Sequence, residues 1–123
     1  MSDKGNNAKN RTLDFLLRDS GTVYIALYTA TPSDSGGGTE VNAGGYTRKV
    51  VTFDVASNGA TSNSIVVDWL PSGADYGTIT HAAVHAHLTN DDIIYHKNIK
   101  TSRLVEDGVP FSFETGDIVI TED

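Results

Sequence analysis

The sequence predicts an all-β protein, an antiparallel sandwich or jelly roll, with a short N-terminal α-helix. Three observations carry this. Apolar residues alternate along Thr22 to Ala30, turn signals recur at near-regular intervals to the end of the chain, and no long helical pattern separates the apolar runs. At 123 residues the chain suits one domain whose core buries about two-thirds of the unfolded surface. Two parts are expected within it, an N-terminal arm and helix over 1–21 and a β body over 22–123.

Ala8 to Arg18 carries Leu13, Leu16 and Leu17 at i, i+3 and i+4, with Phe15 adjoining, which is a helical stripe. Asn7 or Asn10 can cap its start, and Gly21 suits the position just past its end. At about three turns such a helix is unstable alone, so it docks either on the β body or on a neighbouring chain. Val23, Ile25 and Leu27 then alternate with Tyr24, Ala26 and Tyr28, so the first strand is apolar on both faces and belongs in the middle of a sheet. It runs into Pro32 and a loop rich in Ser, Asp and Gly. Gly36, Gly37 and Gly38 admit backbone angles that side chains resist. Strands are expected over Tyr46 to Val55, Ser64 to Leu70, Gly77 to Leu88 and Ile93 to Ile99, with a further one over Lys100 to Val105. Two more surround Thr115-Gly116-Asp117. The turn signals are Ser57-Asn58-Gly59, Pro71-Ser72-Gly73, Thr89 to Asp92 and Glu106-Asp107-Gly108.

A net charge of −7 and few, scattered basic residues argue against direct binding to nucleic acid. The absence of cysteine removes disulfides and thiolate metal sites. No apolar run has the length of a membrane span, and the first 20 residues lack the apolar core of a secretory signal. The one concentration of positive charge is Lys4, Lys9, Arg11 and Arg18, at the start.

Four segments then carry a likeness: the strand Val23 to Tyr28; Pro32-x-Asp34-x-Gly36-Gly37-Gly38-Thr39-Glu40-Val41 with Gly44-Gly45-Tyr46-Thr47-Arg48; Asp75 to His81; and the ending Gly116 to Thr121. In their order and spacing, over residues 22 to 123, the chain resembles a family of short bacteriophage virion proteins usually described as tail fibre or minor tail proteins. The resemblance implies a non-enzymatic structural component of the virion, assembled in the host cytoplasm, without cofactor, whose partners are other phage structural proteins. A capsid decoration protein on the head surface is the alternative. Symmetric placement on a particle implies a homo-oligomer, cyclic, such as a trimer. Residues 1–21 are expected to attach the chain to its neighbours through Lys4, Lys9, Arg11, Leu13, Leu16 and Leu17. The loop at Gly36, Gly37 and Gly38, with Tyr46, is expected to offer a second contact or an exposed tip.

On a strand, His81, His85 and His87 share one face, and His85-Ala86-His87 is the H-x-H pair of cupin-like metal sites. Such a site needs a nearby carboxylate, for which only Asp91 or Asp92 is placed, and a further His on a distant strand. Histidines facing solvent or an interface, beside His96, are the competing reading. Tyr46, Tyr76 and Trp69 are candidates for a surface that stacks on host glycans, with core packing as the alternative. Asp91-Asp92 sits in a turn, where acidic residues favour local hydrogen bonds. No nucleophile elbow occurs, and no Lys-Ser/Thr follows the triple glycine. These patterns give no grounds for an enzyme.

Overall fold

A computed structural model describes residues 4–33, 37–90 and 93–122. It is an all-β antiparallel sandwich with one short N-terminal helix. The helix α1 spans Asn6–Asp14 and widens into a single π-helical turn over Phe15–Asp19, closed by Ser20 N–H donating to the Phe15 carbonyl at 2.9 Å. Gly5 is the N-cap, with no side-chain cap. Asn10 instead turns its amide oxygen to the body, where it accepts from Gly59 N–H at 2.9 Å. Asp14 does the same for Ala56 N–H, also at 2.9 Å. With the buried Leu13 and Leu17, these residues form an inward stripe at helical spacing.

The main sheet is built around β1 (Val23–Ala30). Three strands pair with it antiparallel: β2 (Thr39–Glu40) at Tyr28↔Glu40, β3 (Lys49–Val51) at Val23↔Val51, and β6 (Gly77–His85) from Tyr24↔His85 to Tyr28↔His81. β7 (Ile93–Val105) adds to β6 and forms the outer edge. β1 is therefore central, and both its faces are covered. Val23, Ile25 and Leu27 enter the main core, while Ala26 and Tyr28 form a second small cluster with Ala83.

The segments expected as two strands, Ile93 to Ile99 and Lys100 to Val105, are one strand with a large bulge. Ile79 pairs with Arg103 and His81 with Asn98, so residues 99–102 all stand opposite Thr80. The boundary read from the sequence falls inside this bulge, which bends an edge strand away from a flat template. The fourth expected strand, to Leu88, ends at His85. The expected strand over Tyr46 to Val55 forms its ladder only over Lys49–Val51, with one further bridge at Phe53↔Asn63.

Two ribbons complete the sandwich: β4 (Ala60–Ser62) with β9 (Val119–Thr121), and β5 (Val67–Trp69) with β8 (Phe111–Phe113). Trp69, Phe111 and Phe113 pack edge-to-face or tilted, with centroids 5.2–6.1 Å apart, and Trp69 Nε1 donates to the Thr47 carbonyl. Asn63, fully buried, stitches the ends of this layer. Its amide donates to the Ile65 and Glu114 carbonyls, and its oxygen accepts from Gly116 and Ile118 N–H. A buried amide is tolerated here because all of its hydrogen-bonding positions are used.

Candidate interaction surfaces

The N-terminal segment is divided by its own amphipathic geometry. Leu13 and Leu17 lie in the core of the same chain, and Leu16 packs against that core half-buried. Lys4 Nζ pairs with Glu122 Oε1 at 2.5 Å, which ties the start of the chain to its last strand. The Lys4 hydrogen bond, reinforced by one from Tyr95, holds the Glu122 carboxyl below its usual range against a weaker opposing effect of burial. Lys9 lies over Gly59, where a Cβ would sit 3.0 Å from its Cδ. Arg18 donates to the Phe53 carbonyl at 2.9 Å. The docking expected either on the body or on a neighbour is thus to the body, for these side chains. Arg11 is exposed, as is Phe15 at 60%, so the outward side of the helix is the part open to another molecule.

The described residues on the two sides of the Gly-rich loop pair antiparallel, β2 turning back onto β1 as a hairpin. Gly36 lies outside the described residues. Gly37 and Gly38 are exposed with φ of 80° and 72°, and Gly38 is pressed onto Pro32: a Cβ there would stand 2.8 Å from the proline Cα and N. Tyr46 points inward. Its hydroxyl accepts from Leu27 N–H at 3.0 Å and donates to Glu40 Oε2 at 2.7 Å, and its ring meets Tyr76 edge-on at 5.6 Å. Burial and the neighbouring Glu40 push its hydroxyl well above the usual tyrosine value.

Arg48, the end of the Gly44 to Arg48 segment and given no role from the sequence, joins this hairpin to the next surface loop. Its guanidinium takes Glu40 in a two-point pair and donates to the carbonyls of His87 at 3.0 Å and Asn90 at 2.6 Å. Burial alone would raise the Glu40 carboxyl, but hydrogen bonds from Arg48 and Tyr46 and the charge of Arg48 outweigh it and hold Glu40 below its usual value. Glu40 in turn keeps Arg48 charged against the opposing effect of burial. The signal in sequence was the recurrence of one acidic and one basic residue flanking Tyr46, too common a pattern to single out.

The three histidines part company. His85 is fully buried, stacked on Tyr28 with Nε2 2.8 Å from the tyrosine hydroxyl. His81 is half-buried beside Thr80 and Thr31. His87 lies beyond the end of β6 and is exposed, so it does not continue the strand face shared by His81 and His85. Among the described residues no group of three or more His, Asp or Glu is placed to hold a metal ion; Asp91 and Asp92 lie outside them. Trp69 and Tyr76 are buried at 2% and 6% exposure, and Tyr46 is half-buried, so their faces serve the core rather than a stacking platform. Among the described residues no helix is long and apolar enough to cross a membrane.

The family model described as "Podophage GP4 fiber I protein gp80" matches residues 5–121, from the N-cap of the helix to the last strand. No curated protein matches.

Proposed function

The chain belongs to the family described as Podophage GP4 fiber I protein gp80, a phage fibre structural family, and on that premise we propose that it is a non-enzymatic tail fibre or minor tail component of the virion. It works through contacts with neighbouring phage proteins and with further copies of itself. The observation that carries this reading is the match over residues 5–121, which takes in the docked helix and the β body as one unit. The outward side of the N-terminal segment supplies one contact, and the Gly37–Gly38 hairpin, braced by Arg48, supplies a second. An acidic chain with a net charge of −7 suits an outer position, where like charge limits adhesion between particles.

Copy number tests the assignment. Quantitative mass spectrometry of purified particles, scaled to the major capsid protein, is expected to return a handful of copies per particle. Hundreds of copies would move the protein to the head as a decoration protein, and absence from the particle would overturn both.

A further inference from the structure

The helix carries a second stripe, opposite the one that docks. Arg11, Phe15 and Asp19 recur at intervals of four residues, all three are exposed, and Phe15 is the large apolar group among them. Asn10, Asp14 and Arg18 are engaged with the body, through Gly59, Ala56 and Phe53. Neither Arg11 nor Asp19 forms an ion pair among the described residues.

The order of this stripe is positive, apolar, negative, and it is symmetric about Phe15. A two-fold axis through Phe15, running two copies of the helix antiparallel, sets Phe15 against Phe15 of the second copy. The same operation brings Arg11 of each copy to the side of Asp19 of the other, because the two charges flank Phe15 along the axis, Arg11 about 6 Å away through the α-helix and Asp19 across the wider, shorter π turn. A parallel alignment would instead oppose like charges. We propose that this outward helix face is a self-complementary surface whose partner is a second copy of the chain, joined by an isologous two-fold contact. The inference rests on the reading of the protein as one that works through subunit contacts, and it names the surface and the occupant.

A single helix-to-helix contact is small, so the dimer is expected to be weak and concentration-dependent in solution. Because the chain contains no cysteine, a Phe15→Cys variant reports the geometry directly. It should form a disulfide-linked dimer under mild oxidation at least about tenfold faster than a Val55→Cys variant, whose residue is equally exposed but off the stripe. Adding Arg11→Asp opposes two acidic groups at both ends of the contact and should abolish that advantage, with an effect of about tenfold. Adding Asp19→Arg to the same chain restores opposite charges across the axis and should restore the rate. All the altered residues face solvent, and an unchanged melting temperature confirms folding. Equal rates at positions 15 and 55, or no recovery in the double charge swap, would overturn the proposal. A cyclic trimer insensitive to both charges would do the same. Low copy number on the particle together with a monomeric protein would remove this contact alone and leave the fibre reading standing.

Discussion

Arg48 and Glu40 meet as a two-point ion pair, Nε to Oε2 and Nη2 to Oε1, both at 2.9 Å. The arginine side chain is almost wholly buried, and its remaining donors hold the carbonyls of His87 and Asn90. One planar guanidinium thereby fixes the Gly-rich hairpin and the β6–β7 connection relative to each other. Only a planar fork with several donors satisfies such a set.

Replacing Arg48 with Lys should cost about 2 kcal/mol, because a single ammonium cannot reach Glu40 at two points and both carbonyls. Arg48→Ala should cost about 3 kcal/mol or more, since it also removes the cation that neutralises the half-buried Glu40 carboxylate. Urea midpoints at neutral pH measure both. An Arg48→Lys variant as stable as the parent would show that the fork geometry contributes nothing.

The same pair sets an acid limit. Because the folded Glu40 carboxyl lies below its ordinary 4.5, the unfolded chain binds that proton more readily. The contribution is fully present above about pH 4.5 and is lost as pH falls through the folded value. Glu40→Gln should lower stability at neutral pH and flatten its decline on acidification, read from urea midpoints down to about pH 3. Tyr46 acts at the other end: its hydroxyl is pushed above 10.0, so its contribution is present below about pH 10 and is lost as pH rises through the folded value.

Gly37 and Gly38 separate two costs of a side chain. Both have positive φ, but a Cβ on Gly37 meets open space while one on Gly38 collides with Pro32 and the Ala30 carbonyl. Gly37→Ala should cost about 1 kcal/mol from backbone strain alone. Gly38→Ala should cost more, about 2–3 kcal/mol, because the hairpin backbone must shift as well. Thermal melts of the two variants compared side by side give the difference, and matching losses would mean that the hairpin moves freely off Pro32.

Asn63→Leu keeps the side-chain volume and removes four hydrogen bonds from a site with no exposure. The Ile65 carbonyl and the Ile118 N–H then lose their partner, while Gly116 N–H keeps the Asn63 carbonyl and the Glu114 carbonyl keeps Asp117 N–H, and a loss of about 2 kcal/mol or more is expected. Amide exchange should also accelerate at Ile118 ahead of the rest of the sheet. A variant as stable as the parent would mean that water replaces the amide.

Much of the fold was legible locally. The alternation of Val23 to Tyr28 identified a central strand because a residue's face on a strand is set by its parity alone. Ser57-Asn58-Gly59 identified a tight turn because Asn58 and Gly59 take φ of 54° and 75°, angles those residues adopt at low cost. Likewise the spacing of Leu13 and Leu17 identified an inward helical stripe. These features depend on neighbours a few positions away, which the sequence displays.

What only the tertiary structure decided has partners far along the chain. Nothing local to Ile93–Val105 shows that residues 99–102 bulge, because the bulge exists only against Thr80 on another strand. His87 leaves the face of His81 and His85 because β6 ends at His85 and the chain turns toward Arg48. Tyr46 and Trp69, eligible as surface aromatics by composition, are claimed by Leu27 and Glu40 and by Thr47. Asn63 carries no signal in the sequence, because three of the four backbone groups that hold it, at Glu114, Gly116 and Ile118, lie more than fifty residues away. The physical reason is common to all of them: apolar periodicity records which way a side chain points, whereas a buried polar group is placed by long-range hydrogen bonds that must be satisfied together.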